Sequence, residues 1–329
     1  RSTLFPYTTL FRSRTGGVRG LDLSGLADIG ATGYDALDPF QWPRKGRAAN
    51  ETRFFAEGGF FTPDRRGRFI PTPYRTLASA VSPDFPLALN TGRIRDQWHT
   101  MTRTSKTPRL MSHIAEPFLE MHPADAAACG LSSAMIAEVE SAHGSALLRV
   151  TVVDRQQRGT VFAPMHWTDQ LASRSRIGAL MAANTDAVSG QPELKFTPVR
   201  VRPFAAVWYA FAVSTLRPEI GGYDYAAIAP ARGGFRMEFA GARPEEDWDA
   251  AAAQLLLSET GELLAYRDRA SGQYRYAAFD GSRCIGLLFV APEPVAVSRN
   301  WAADQLGAEC DTDARMRLLA PVLDRKSVV

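Results

Sequence analysis

From residue 89 to 106 the chain reads LNTGRIRDQWHTMTRTSK, and this stretch concentrates groups that hold anions. Thr91, Gly92 and Arg93 set a hydroxyl, an exposed backbone amide and a guanidinium side by side. Glycine lets a backbone approach a ligand closely, and a guanidinium is a flat fork of donors that fits phosphate. Between 93 and 109 stand five basic residues, Arg93, Arg95, Arg103, Lys106 and Arg109, against one acid, Asp96. That local excess of four is larger than the net charge of the whole chain, +3. Thr100, Thr102, Thr104 and Ser105 add neutral donors, and Trp98 and His99 offer flat faces. Together these types imply a phosphorylated anion with planar parts as ligand.

Two common phosphate cradles are excluded: no GxxxxGK[ST] is present, and no GxGxxG follows this strand. The residue types alone leave other readings open. A solvated basic hairpin around a core tryptophan has the same composition. A single-stranded RNA groove also interleaves basic and aromatic residues, although here the only such rings are Trp98 and His99.

The loop needs elements that position it. FPLALN, just ahead of it, reads as a strand. PFLEMHPADAAACGL reads as a strand, a short helix opened by proline and a glycine stop. AMIAEVES, SALLRVTVV, GTVFAPMHW and KFTPVRVRP read as further strands of mixed alternation. Many short strands with one small helix, over residues 86–202, point to a β-barrel. Residues 203–324 read as an α+β unit. It opens on the strand AAVWYAFAVS and continues with GGFRMEFAG. LLAYRDRASGQYRYAAFDGSRCIGLLFVAP supplies strands joined by turns at ASG and DGS. The helices are PEEDWDAAAAQLLLSE, acidic at its start, and WAADQLGA. Upstream, ATGYDALDPF is a short helical candidate. Residues 51–72 alternate aromatic and polar around GG and PDRRG and read as a β-meander, with a linker at 73–85.

The whole chain sets bounds. Its 329 residues allow two or three domains, and 45% apolar with 22% charged residues is ordinary globular composition. The mild positive charge is below that of a dedicated nucleic-acid binder. Cys129, Cys284 and Cys310 stand far apart without a CxxC, so no zinc or iron–sulfur site is visible, and such usage suits a reducing cytoplasm. The longest apolar run, FAAVWYAFAV, is shorter than the about 20 residues that span a bilayer. The opening RSTLFPYTTLFRS, residues 1–13, resembles translated sequencing-adapter DNA, as does the closing DRKSVV, in which residues 325–329 are set aside from fold reasoning. The first methionine is Met101, and the chain is expected to be an internal piece of a longer protein.

LNTGRIRDQWHTMTRT resembles the pterin-dinucleotide loop of the molybdopterin oxidoreductase family, with its TGR-x-x-x-x-WH-T core. PFLEMHPADAAACGL, GTVFAPMHWTDQLAS and NTDAVSGQPELKFTPVRV resemble three further segments of that family, in the same order. The resemblance implies a mainly β fold: a six-stranded double-psi β-barrel of the aspartate-decarboxylase type over 86–202. Residues 14–85 would be the tail end of a molybdenum catalytic domain, and 203–324 a small α+β extension. HWTDQ, SGQPELK and the extension most resemble the catalytic subunits of assimilatory nitrate reductases. Formate dehydrogenases share the core but usually end near the barrel.

The family's cofactor-binding loop matches Thr91, Gly92, Arg93, Trp98, His99 and Thr100, with Thr102 and Arg103 continuing it. Lys195 matches a lysine placed near the cofactor, and His166 and Trp167 match positions near the substrate funnel; a core pair at a strand end is the alternative for these two. Asp186 would accept hydrogen bonds from a guanine edge, or close its own loop as an Asx turn. Two departures stand out: Gly178 occupies the place of a dinucleotide-binding asparagine, unless Asn184 replaces it, and Ala187 follows Asp186 where the family has proline. His113, His122 and His143 are scattered and are assigned no ligand role.

The resemblance implies molybdenum bis(molybdopterin guanine dinucleotide) as cofactor, iron–sulfur clusters bound by other parts of a longer protein, and reduction of nitrate to nitrite. It leaves ferredoxin and an NADH-linked reductase open as electron donor and implies neither a nucleic-acid partner nor a membrane. Cys129 reads as a buried small hydrophobe rather than a molybdenum thiolate. A free-standing module that binds a nucleotide or RNA, without redox chemistry, is the reading from a different class.

Overall fold

The computed structural model describes residues 26, 28–40, 55–56, 58–187, 189–256 and 261–320. The adapter-like stretches at both ends lie outside them. The chain divides into two units, Arg1–Thr76 and Leu77–Val329. In the first, helix α1 is Gly30–Asp35, which begins one residue ahead of the helical candidate and covers its first half. The expected β-meander is a correction: residues 58–72 hold no strand, and 51–54 and 57 lie outside the described residues. The reason is local. The PDRRG segment folds back on itself, with Phe60 N–H donating to Arg65 O and Arg65 N–H to Thr62 O, both 3.0 Å. A single tight turn closes there, and among the described residues no second extended run pairs with it.

The second unit begins with six strands: β1 Leu87–Gly92, β2 Phe118–Met121, β3 Ile136–Glu140, β4 Ser145–Val152, β5 Thr160–Pro164 and β6 Thr197–Pro203. They close into a barrel in the order β1-β5-β2-β4-β3-β6, the topology of a double-psi barrel. Two of its pairings, β1 with β5 and β2 with β4, are parallel; the rest are antiparallel. Leu89, Leu119, Val139, Leu148, Val161 and Val199 fill its interior without solvent exposure. A short helix α2, Pro108–Met111, follows β1, and α3, Pro123–Ala128, follows β2. Helix α3 is capped by His122, whose Nδ1 accepts from Ala124 N–H at 3.0 Å, which gives that histidine a structural task. Gly130, at φ +68°, ends the turn in a conformation that other side chains resist.

The remaining strands are β7 Trp208–Ser214, β8 Tyr225–Ala231, β9 Gly234–Gly241, β10 Glu262–Asp268, β11 Gln273–Asp280 and β12 Arg283–Ala291. They form one antiparallel sheet ordered β10-β11-β12-β7-β9-β8. Helix α4, Trp248–Leu256, covers one face through Trp248, Ala252, Leu255 and Leu256. Its first turn is held by Asp247, which accepts from the amides of Asp249 and Ala250 at 3.1 and 3.0 Å. Helices α5, Arg299–Asp304, and α6, Thr312–Leu318, complete the unit. The other face packs with the barrel: Ile136 and Leu147 share a core with Tyr209, Phe211, Ala227 and Phe289.

A buried ion network crosses this seam. Arg149 on β4 donates through Nε to Glu116 at 2.7 Å and through Nη1 to Ala134 O at 2.8 Å. Tyr225 on β8 donates to the same Glu116 oxygen at 2.6 Å. Arg149 Nη2 reaches Glu238 on β9 at 3.5 Å, and Arg299 on α5 grips Glu238 with two bonds of 2.9 Å. Arg236 lies 3.8 Å from the same carboxylate. Burial opposes charge on Arg149, but Glu116, the Tyr225 oxygen and Glu238 outweigh it and hold its pKa above the ordinary arginine value. Burial likewise opposes the Glu238 carboxylate, yet Arg299 and Arg149 keep it below the usual range. Replacing one member strands the others: Glu238→Ala should lower the unfolding free energy by about 3–5 kcal/mol, read as a drop in urea midpoint. A change below about 1 kcal/mol would show that the seam does not depend on these charges.

Candidate functional site

The parallel pairing of β1 with β5 puts the C-terminal ends of both strands at one end of the barrel, Gly92 opposite Pro164. The loop after β1 and the segment after β5 therefore leave side by side. Strand β6 runs antiparallel to β1, with Leu89 opposite Thr197, so the residues before β6 arrive at the same end. Three sequence motifs far apart in the chain, TGR…WHT, HW and SGQPELK, thus converge. The fourth, around His122, sits at the C-terminal end of β2, which runs antiparallel to β5, and so lies at the opposite end.

Each part of the TGR stretch has a separate task. Thr91 is buried, and its hydroxyl donates to Leu194 O at 2.6 Å, tying the segment before β6 to β1. Lys195, exposed, donates to the Thr91 carbonyl from the other direction. Gly92 faces Phe162: a Cβ there would lie 2.8 Å from the ring, so a side chain would displace it. Arg93 is exposed and stacks over Trp98, its Cζ 4.8 Å from the ring centroid. Trp98 is 59% exposed, a large flat face open to solvent.

His166 fixes the loop that carries them. It has no solvent exposure. Its Nε2 accepts from Ile94 N–H at 3.0 Å, and its Nδ1 lies 2.6 Å from the His99 carbonyl oxygen. A carbonyl only accepts, so the geometry requires the neutral ring with its proton on Nδ1. Burial holds its pKa below the ordinary 6.5, and the nearby Arg93 charge acts in the same direction; the His99 carbonyl opposes them. Two loop residues, His99 at φ +44° and Met101 at φ +59°, adopt the left-handed region. Such backbone persists where surroundings over-determine it. Here His166 holds one side, and the fully buried Met101 side chain anchors the other in the shared core.

The hydroxyls of Thr100 and Thr102 are exposed and 3.2 Å apart. Arg103 and Lys106 are exposed as well. Among the described residues, no carboxylate pairs with Arg93, Arg103 or Lys106. Asp96, the one acid of the stretch, is engaged by Arg95 and by His113, each at 2.9 Å. The face thus combines cations without carboxylate partners, two mutually bonded hydroxyls and one stacked indole, which suits a phosphorylated planar anion.

Other expected positions are occupied differently. Trp167 is 2% exposed and belongs to the core. Asp186 accepts from the amide and hydroxyl of Ser189 at 2.7 and 2.9 Å, closing its own turn. Asn184 donates to Glu193 and Ser79 at 3.1 and 3.3 Å, a structural commitment. Gly178 has open space where a side chain would stand. Gln97 escaped the sequence reading: it is buried, and its amide donates to Leu110 O at 3.1 Å, supporting the loop from below. Nothing in the sequence marked it, since Gln97 follows the polar Asp96 and looks like any exposed loop residue. Burial raises the thiol pKa of Cys129, Cys284 and Cys310, Cys284 to about 12. Among the described residues, no three His, Cys, Asp or Glu side chains cluster to hold a metal, and no helix is long and apolar enough to cross a membrane.

Residues 87–198 match the model of the Molydopterin dinucleotide binding domain. The chain is 36% identical over 259 residues to a nitrate reductase of Klebsiella oxytoca, covering 76% of this chain and 29% of that protein. It is 28% identical over 192 residues to the assimilatory nitrate reductase catalytic subunit of Bacillus subtilis, covering 56% and 26%. To the F420-dependent formate dehydrogenase subunit alpha of Methanocaldococcus jannaschii it is 28% identical over 165 residues, covering 50% and 24%. The chain spans less than a third of the length of these relatives.

The double bond made by His166 has a direct consequence. His166→Ala leaves the Ile94 amide without its acceptor, a loss of about 1–3 kcal/mol, and amide hydrogen exchange across 94–101 should speed by about tenfold or more. Because the folded pKa is lowered from 6.5, the neutral ring's contribution is fully present above pH 6.5 and is lost as pH falls through the folded value. Exchange protection that stays constant from pH 7.5 to 4.5, by mass spectrometry at matched chemical rates, would contradict this latch.

Proposed function

We propose that this chain, whose residues 87–198 match the Molydopterin dinucleotide binding domain, is the C-terminal part of a nitrate reductase of the molybdopterin oxidoreductase family, the part that caps the dinucleotide cofactor. One observation carries the choice of nitrate reductase: the similarity to the Klebsiella oxytoca protein runs over 259 residues, well beyond the 87–198 barrel. The formate dehydrogenase match is shorter, at 165 residues, and less identical.

The residues present fit the dinucleotide. Arg93, Arg103 and Lys106 are exposed cations, Thr100 and Thr102 are exposed hydroxyls, and Trp98 offers its ring. Their charge and donors would hold the pyrophosphate, and the indole would pack against the pterin or guanine. Lys195, held at the Thr91 carbonyl, keeps further N–H donors for the same anion. In this proposal Asp186 reads guanine only if its turn with Ser189 opens. His166 and Trp167 act from beneath, setting the loop rather than touching a ligand.

The cofactor of the proposed whole protein is molybdenum bis(molybdopterin guanine dinucleotide), with iron–sulfur clusters held elsewhere in that protein. Bound, it supplies the oxygen-atom acceptor and the electron pair, so that nitrate, two electrons and two protons give nitrite and water. This chain's residues bind and orient it and tune it through hydrogen bonds to its periphery. The electron donor of the proposed enzyme is a ferredoxin or an NADH-linked reductase, and its compartment the cytoplasm.

Two measurements test this reading. In the full-length protein, Arg93→Ala should abolish retention of the cofactor, assayed as molybdenum and releasable GMP per chain; a graded, salt-dependent loss of binding to RNA instead would favour a nucleic-acid groove. The isolated chain should reduce no nitrate with a reduced viologen donor, and turnover by it alone would refute the capping role.

A further inference from the structure

The buried ion network at the seam does not balance. It holds three guanidiniums, Arg149, Arg236 and Arg299, against two carboxylates, Glu116 and Glu238. Tyr225 adds no negative charge. Its hydroxyl donates to Glu116 at 2.6 Å, and burial first, then the Glu116 charge, keeps its pKa well above the usual value. Arg299 takes both oxygens of Glu238 at 2.9 Å, and Glu116 serves Arg149 Nε and Tyr225. Arg236 is the cation left over. Its nearest carboxylate oxygen, on Glu238, is 3.8 Å away, beyond hydrogen-bond reach.

A second observation points the same way. The Nε of Arg236 is sealed from solvent and has no hydrogen-bond partner among the described residues. Its neighbours across the sheet, Val213 on β7 and Ala229 on β8, are buried and carry no side-chain acceptor. Burial holds the Arg236 pKa below the ordinary arginine value; Glu238 and Glu116 oppose this, and Arg299 and Arg149 add to it. A guanidinium keeps its proton nonetheless. A positive charge therefore stands largely out of water with an unmet donor, where buried charges are otherwise paired. The side chain as a whole retains 16% exposure, which leaves its outer edge within reach of a small ion from solvent.

We propose that Arg236 binds a weakly hydrated inorganic monoanion, of the class of chloride and nitrate, which completes the charge balance of the seam. One negative charge matches the excess of one cation. A weakly hydrated ion loses least on entering a site beside Val213 and Ala229. A sulfate or phosphate dianion would overshoot the balance and give up more hydration. The bound ion pins the second sheet on the barrel and makes the seam responsive to the ions around it. None of the residues proposed to hold the dinucleotide takes part, so this inference stands or falls independently of the capping role.

The readout is amide hydrogen exchange over β9, Gly234–Gly241, in the full-length protein. Chloride or nitrate replaces fluoride, a strongly hydrated ion, at constant ionic strength. Protection should rise in proportion to one plus the ratio of ion concentration to dissociation constant, about tenfold at a ratio of about nine. Arg236→Met should remove the dependence. Arg283→Met, at an exposed arginine of the same sheet, should keep it. Bromide in crystals of the wild type needs no variant to fold: its anomalous peak is expected at hydrogen-bond distance from Arg236 Nε. Three results overturn the proposal: protection that responds to neither ion, a response that survives in Arg236→Met, or bromide seen there only at molar halide and without effect on protection, an adventitious ion only. A tighter response to nitrate than to chloride makes the seam a nitrate sensor, and the reverse makes it a chloride site; both sustain the proposal.

Discussion

Glu238 is the carboxylate on which the second unit closes. It is 3% exposed and lies among Arg149, Arg236 and Arg299, which come from a barrel strand, from its own strand and from a helix. A charge so deeply buried is tolerated only when opposite charges and hydrogen bonds surround it. That requirement is geometric as much as energetic, because the bidentate grip of Arg299 and the reach of Arg149 are met by few placements of sheet on barrel. Apolar packing alone would accept many. The loop depends on this placement, since Met101 and Met111 are anchored in the core that the seam encloses, together with Trp167, Ala227 and Ala229.

The barrel supplies the other constraint. An antiparallel meander would send successive loops to alternating ends. The parallel β1–β5 pair instead delivers the loops after both strands to one end, and the antiparallel β1–β6 pair adds the segment before β6. His166 can therefore meet Ile94 and His99, and Lys195 can meet Thr91, across about seventy and a hundred residues of chain. Convergence of this kind is set by topology, and side chains then refine it.

Much of the fold was legible because its signals are local. Strand β2, the proline that opens α3 and the glycine that stops it lie within fifteen consecutive letters, PFLEMHPADAAACGL, and the structure follows them in that order. Turns at ASG and DGS separate β10, β11 and β12 as expected. Strand β8, YAAIAPA, was missed because Tyr225 through Ala229 are all buried, so no alternation marks it, and Pro230 argues against a strand. The aromatic alternation around GG and PDRRG suggested strands, but a turn's own hydrogen bonds took the backbone there. In the site, the types in TGR…WHT announced an anion, whereas which of them face it did not follow from type. Thr91 and His166 turn inward to hold backbone, and Arg93 and Trp98 turn outward. That division depends on partners about seventy or a hundred residues away, which no local pattern encodes.

The loop is held in a shape that its own sequence does not favour. Positive φ at His99 and Met101 costs about 1–2 kcal/mol per residue for side chains with a Cβ. Cations without carboxylate partners repel one another across its face. An ordinary surface loop would relax both by moving. Here the buried imidazole on one side and the buried methionine on the other prevent it. The strain and the repulsion are therefore carried in the folded state, in a backbone already set to present its exposed cations. Little backbone entropy would remain to be lost on binding an anion, while the exposed Arg93, Arg103 and Lys106 side chains would still be ordered by it. A ligand that relieved the strain and the repulsion would stabilise the fold, which suits the proposed retention of a cofactor.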